Sequence, residues 1–333
     1  DKSKELTPKD KLDAAKKDVE ALMRSSKDTK TLTNKFESIK SKYGLKTIEF
    51  KNIGRSNSSV HLSINPHYDV IIMDNLAFAT GSGAAVIGGK GKKVTTEVKF
   101  ESQSLTVGTH EAKVGKKMTA SPLANDHPPG QEATDNASVQ KELMDLLPGN
   151  GQYVRGHLLN AQIGGPVIDH NLFPITNSAN SSHKTWIESY VKRDIAEGYV
   201  AEYVVDAQKN KVEKTNSYTP AAPQYYVNSQ FVCTYKRLNS DLKPIGPGVS
   251  RNITSTYNVS AGKPRRDTSC DSRKAHQDFM NAGYFDSTKA PIATSDAMKV
   301  EPGRHDFGMT KSGKIRHGSV HDTRMEDEEP SIG

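Results

Sequence analysis

Between Tyr153 and Ala196 the order of residue types leaves few folds open. Tyr153–His157 alternates like a short strand, Gly164-Gly165-Pro166 breaks the chain into a loop, and a helical pattern runs from about Asn177 to Ala196. Ile187, Tyr190, Val191 and Ile195 share one face of that helix, so this face turns toward a core. At about 100° per residue, Asn180 lies within about 20° of Ile187, and His183 about 40° to its other side. The inward stripe is therefore polar in its first half and apolar in its second. Polar groups buried without partners cost about 1–3 kcal/mol each, and a bound ion with its water would be such a partner. Glu188 falls about 80° from Asn180, where it reaches an ion through water but is poorly aimed for direct ligation.

The strand carries complementary chemistry. Gly156 admits close approach of another backbone or a phosphate. Arg155 and His157 flank it and share a face. Phosphodiester hydrolysis needs a base for water, a cation for the developing charge and a donor for the phosphate. His157, an ion on Asn180, and Arg155 supply these three. Taken singly, a His on a strand is more often a hydrogen-bonded structural residue, and an Asn near a helix start is usually a cap. The ordered set arises by accident far less often.

The set resembles the DNA/RNA non-specific endonucleases of the ββα-metal (His-Me finger) group. Arg155-Gly156-His157 is similar to that family's Asp-Arg-Gly-His motif, and Asn171-Leu172-Phe173-Pro174 to its Asn-x-x-Pro segment. Asn180 follows Asn171 by nine residues and Glu188 follows Asn180 by eight, which is the family's spacing. The resemblance covers roughly residues 150–195. It implies His157 as general base, Asn180 as ligand to Mg2+ or Mn2+, and Glu188 reaching that ion through water. Val154 stands where the family has Asp, so another group must orient the motif here. Arg155-Gly156-His157-Leu158-Leu159-Asn160 with Gly164-Gly165-Pro166 is also similar to nuclease domains at the ends of bacterial polymorphic toxins and contractile-injection effectors. That likeness implies a secreted or delivered effector, with an immunity protein or injection machinery as partner. Asn171 and His183 are supporting candidates. Asn171 either holds the His157 ring or bridges the loop. His183 is a phosphate contact or a helix-face residue in preference to a second ligand. Asn160 reads as a loop hydrogen-bonder.

The flanks read more simply. Thr7, Pro8 and Asp10 form a helix start, and apolar residues at 3-4-3 spacing predict a hairpin of helices over 8–25 and 30–43. From Thr47 the pattern turns to short β-rich runs at Thr47–Ile53, Val60–Ile64, Val70–Met73, Val94–Phe100 and Leu105–Val107. Residues 119–137 read as loop, and Ser138 as the cap of a short helix. Tyr199–Val205 and Tyr225–Tyr235 read as an antiparallel strand pair. The expected fold is α+β: a helical hairpin over 1–45, a nuclease domain with a central antiparallel sheet and a strand–loop–helix motif over 46–245, and an irregular tail over 246–333.

The formal net charge of +7 favours a polyanionic partner such as DNA or RNA, though a lysine-rich surface explains it as well. With only Cys233 and Cys270, neither a disulfide framework nor a thiolate zinc site is expected. No run reaches the roughly 18 apolar residues that span a bilayer. The start at Asp1 suggests a processed or cloned boundary, with a leader or delivery module upstream. His127, His305, His317 and His321 carry no assigned role. The alternative to an enzyme is a nucleic-acid-binding or delivery protein with a vestigial nuclease site.

Overall fold

The structure is a computed structural model that describes residues 6–25, 29–53, 57–65, 68–74, 85–86, 93–126, 130–135, 137–214, 225–284 and 296–299. The fold is α+β, built on a large antiparallel sheet with few helices. Two helices open the chain, α1 (Pro8–Ser25) and α2 (Thr29–Tyr43). Thr7 starts α1 as its residue type predicts: Thr7 Oγ1 accepts from the Asp10 amide at 3.2 Å, and the Asp10 carboxylate accepts from the Thr7 amide and hydroxyl.

Eight strands then form one sheet: β1 (Thr47–Ile53), β2 (Asn57–Asn65), β3 (Tyr68–Asp74), β6 (Glu97–Val107), β7 (His110–Leu123), β10 (Ala201–Lys214), β11 (Tyr225–Arg237) and β12 (Val249–Ser255), neighbours in that order. The minor strands are β4 (Ala85–Val86) with β5 (Lys93–Val94), β8 (Tyr153–His157) with β9 (Leu172–Thr176), and β13 (Tyr257–Asn258) with β14 (Lys263–Pro264). Strand alternation splits the sheet's two faces between two cores. On one face Leu12, Ala15 and Val19 of α1 and Phe36 and Ile39 of α2 cover Val60, Leu62 and Val70. On the other, Phe100, Met118, Tyr203, Val205, Phe231 and Cys233 meet the β8–β9 pair and the helices that follow it. Each fully buried Val, Leu, Phe or Met among them contributes about 1.5–3 kcal/mol.

The helical stretch after β9 is continuous but not uniform. It runs as α4 (Asn177–His183), a π turn (Lys184–Glu188) and α5 (Ser189–Ala196). The Thr176 side chain caps it, accepting from the Ala179 amide at 3.3 Å. Tyr153 ties β8 to the sheet through its hydroxyl, which donates to the Val227 carbonyl at 2.7 Å.

Three expectations change. Residues 119–123, read as loop, belong to β7, a central strand of 14 residues. Its Ala, Lys and Gly content hides it, and pairing with β6 and β10 on both sides imposes the conformation. Gln140, in a left-handed conformation at φ 58, precedes the short helix α3 (Lys141–Asp145) in place of Ser138. The segment from 246 onward is not uniformly irregular. β12 completes the sheet, and α6 (Ser272–Asn281) packs Ala275 and Phe279 into the main core. Arg251 sits on the inward face of β12 and breaks the apolar alternation, and its guanidinium is paired with Asp278 of α6 at 2.9 Å. His127, His305, His317, His321 and the chain beyond residue 299 lie outside the described residues.

Candidate active site

The β8–β9 pair brings the sequence motifs to one place. Register pairs Gly156 with Phe173 and His157 with Leu172, so the first motif lies along the second. At Gly156 the strand lies close to α4. A Cβ added there would meet Ile175 Cγ2 at 2.4 Å and Asn180 Oδ1 at 3.2 Å. A side chain at 156 would collide with Ile175 and crowd the Asn180 amide, so glycine suits this position.

His157 is held by a carbonyl. Its Nε2 lies 3.0 Å from the Gln131 carbonyl oxygen, and a carbonyl can only accept. The neutral ring therefore carries its proton on Nε2, and Nδ1 keeps the lone pair. Burial pushes the His157 pKa down. The Gln131 carbonyl, Glu188 and Glu132 partly offset this, and the Arg155 guanidinium adds to it. Gln131 is fixed in turn: its amide donates to the Gly165 carbonyl at 2.9 Å, and its side-chain oxygen accepts from the Val167 amide at 3.2 Å. The loops beneath pack backbone on backbone, since a Cβ on Gly130 would fall 2.1 Å from the Gly165 carbonyl oxygen.

Arg155, expected as a phosphate donor, is anchored to the preceding loop. Its terminal nitrogens donate to the Val139 carbonyl at 2.9 Å and the Ala133 carbonyl at 2.6 Å. It ties the 131–139 segment to β8 and keeps a positive charge beside His157. These loop carbonyls hold Arg155 and His157 in place, while Val154 packs against the core. Asn171 bridges the loop and does not touch the His157 ring. Fully buried, it accepts from the Leu159 amide at 2.7 Å and donates to the carbonyls of Leu159 at 3.1 Å and Pro166 at 2.9 Å.

Glu188 lies at the end of a break in the regular helix. In an unbroken α-helix, residues five apart diverge by about 140°. The π turn stacks them at i and i+5 instead, which brings Glu188 onto the side of His183. Glu188, 4% exposed, accepts from Asn160 Nδ2 at 3.1 Å, and its other oxygen lies 3.4 Å from His183 Nδ1. His183 is wholly buried, which removes it as a phosphate contact, and its Nε2 lies 3.1 Å from the Tyr203 hydroxyl.

The charges fit a small divalent cation. Among the described residues no Lys or Arg pairs with the Glu188 carboxylate, and the Asn180 side chain makes no hydrogen bond. A buried carboxylate without a cationic partner and an unengaged amide oxygen are the kinds of oxygen group that a hard cation takes as ligands. They are not a cluster of three or more His, Cys, Asp or Glu, and no such cluster occurs among the described residues.

No family model, curated protein or solved structure matches the chain.

Three residues of the site escaped the sequence reading in whole or part. Gln131 acts through its backbone carbonyl, which leaves no trace in residue type. Tyr203 alternates like any inward strand residue. Asn160, read as a loop hydrogen-bonder, does cap the loop turn by accepting from the Gln162 amide, and it also holds Glu188.

Proposed function

We propose that this chain is a metal-dependent endonuclease that hydrolyses phosphodiester bonds of DNA, RNA or both with little sequence selectivity. The observation that carries this reading is the approach of Asn180 to Gly156, next to a carbonyl-held His157 whose charge the buried Glu188 influences. β8, β9 and α4 then constitute a ββα-metal motif, with α1 and α2 as a helical hairpin outside it.

In this reading His157 Nδ1 takes the proton of an attacking water. A bond forms from that water oxygen to phosphorus, and the bond from phosphorus to the leaving sugar oxygen breaks. The Gln131 carbonyl orients the ring and fixes its proton on Nε2, while burial favours the neutral form. Asn180 Oδ1 and, through water, Glu188 would hold Mg2+ or Mn2+. A bound cation supplies positive charge against the phosphate and the leaving oxygen. Arg155 disfavours the imidazolium before reaction and holds the loop that orients the base. The likeness of the motif to toxin-borne nucleases supports a delivered effector, with an immunity protein or an injection machinery as its protein partner. Among the described residues no helix is long and apolar enough to cross a membrane.

Supercoiled plasmid and structured RNA, each incubated with the chain in Mg2+ and in EDTA, test the reading. Mg2+-dependent loss of either substrate is expected, slowed roughly 10²–10⁴-fold in His157→Ala. Binding of both nucleic acids without cleavage in any divalent metal would replace the enzyme with a binding protein.

A further inference from the structure

Glu188 is the end of a chain of polar contacts that reaches back into the central sheet. Tyr203 stands on the inward face of β10 and His183 on the inward face of α4, and both are wholly buried. The Tyr203 hydroxyl lies 3.1 Å from His183 Nε2, and His183 Nδ1 faces a Glu188 oxygen at 3.4 Å. The edge-on Phe231 ring, with centroids 5.3 Å apart, fixes the plane of the imidazole. His183 Nδ1 has no hydrogen-bond partner, the Glu188 oxygen being the acceptor it faces, and leaving a buried nitrogen unsatisfied is costly.

The donors and acceptors set the direction. A carboxylate only accepts, so Nδ1 must carry the proton to meet Glu188, and Nε2 is then the acceptor for the tyrosine O–H. Burial disfavours the imidazolium, which agrees with a neutral ring of this one tautomer. With Asn160 donating to the second oxygen, each Glu188 oxygen faces one neutral donor. The carboxylate is held in one orientation without its charge being cancelled. A Leu and a Phe would fill the same two positions without a buried polar cost. The polar pair gains its purpose only at Glu188.

We infer that His183 and Tyr203 are positioning residues, a buried Tyr–His chain that fixes the Glu188 carboxylate toward a divalent cation held with Asn180. The π turn is part of the device, because it brings His183 and Glu188, five residues apart, onto one side. The inference rests on the nuclease reading for its purpose, but not for its geometry.

Two measurements on the full chain separate the two. The first is direct Mn2+ binding, followed by the electron paramagnetic resonance signal of the free ion. His183→Leu should weaken Mn2+ binding about tenfold, as loss of a group behind a metal contact commonly does. His183→Asn, which keeps an N–H donor near Nδ1, should recover most of it. Tyr203→Phe should fall between, with turnover reduced and KM for plasmid unchanged. The second is the 15N spectrum of the histidine rings. The His183 proton is expected on Nδ1, with its resonance shifting when Mg2+ is added. A proton on Nε2 overturns the inference. So does a folded His183→Leu that binds Mn2+ like the parent, or a parent that binds no Mn2+. If the tautomer and the Mn2+ effects appear while neither plasmid nor RNA is cut, the positioning chain stands and the nuclease reading falls.

Discussion

The Asn180 amide oxygen lies 3.2 Å from the place a Cβ would take on Gly156, and this approach couples the helix to the strand that bears His157. The same Cβ would stand 2.4 Å from Ile175 Cγ2. Gly156→Ala must therefore push β9 or α4 away. The expected outcome is a loss of about 1–3 kcal/mol, typical of overpacking, seen as a lower denaturation midpoint. Turnover should fall further than stability does, because Asn180 moves with the helix. A variant with parental turnover would mean that the Asn180–Gly156 approach has no part in the chemistry.

Gly165→Ala attacks the other support. A Cβ there would fall 1.8 Å from the Leu159 carbonyl oxygen, which is backbone and cannot rotate away. The Gly165 carbonyl also receives the Gln131 amide, so the displacement should reach the carbonyl that holds His157. Single-turnover cleavage should slow about tenfold or more, since small misplacements of a catalytic group are expensive. Unchanged single-turnover rates in a folded variant would uncouple the loop from the base.

Acid should act twice. Burial lowers His157 and His183 below the ordinary 6.5. The unfolded chain then takes up protons first as pH falls through about 6.5, so stability declines on the acid side until the depressed folded values are passed. Melting temperature against pH should show this decline, and His183→Leu should flatten it. Cleavage should persist somewhat below pH 6.5 and be lost as His157 itself protonates. A rate that falls at or above 6.5 would contradict a burial-depressed base.

Asp194 and Arg237 form a wholly buried pair at 2.6 Å, with the Tyr235 hydroxyl and the Tyr284 carbonyl completing their hydrogen bonds. Removing one partner strands a charge in the core. Asp194→Asn should cost about 3–5 kcal/mol by urea unfolding, while an apolar replacement of both residues should cost much less. Equal losses for the single and double changes would mean that packing, not charge, governs this site.

Local order in the sequence determined much of this protein. The Thr7 cap, the apolar spacing of α1 and α2, the bounds of β8 and the helical run 177–196 each depend on residues within a few turns of one another. The antiparallel pairing of β10 and β11 follows from two adjacent β-rich runs, and the approach of α4 to Gly156 follows from a missing side chain. Tertiary structure alone decided the rest. β7 is a strand because two neighbours hydrogen-bond it, not because Ala, Lys and Gly prefer that conformation. β12 carries an inward Arg whose counter-charge lies on α6, so its burial is unreadable without the fold. The π turn shifts the phase of Glu188, and a phase counted at about 100° per residue cannot foresee it. The Gln131 carbonyl belongs to the backbone, which is the same at every residue, and only the closing of two loops on each other selects which carbonyl meets His157.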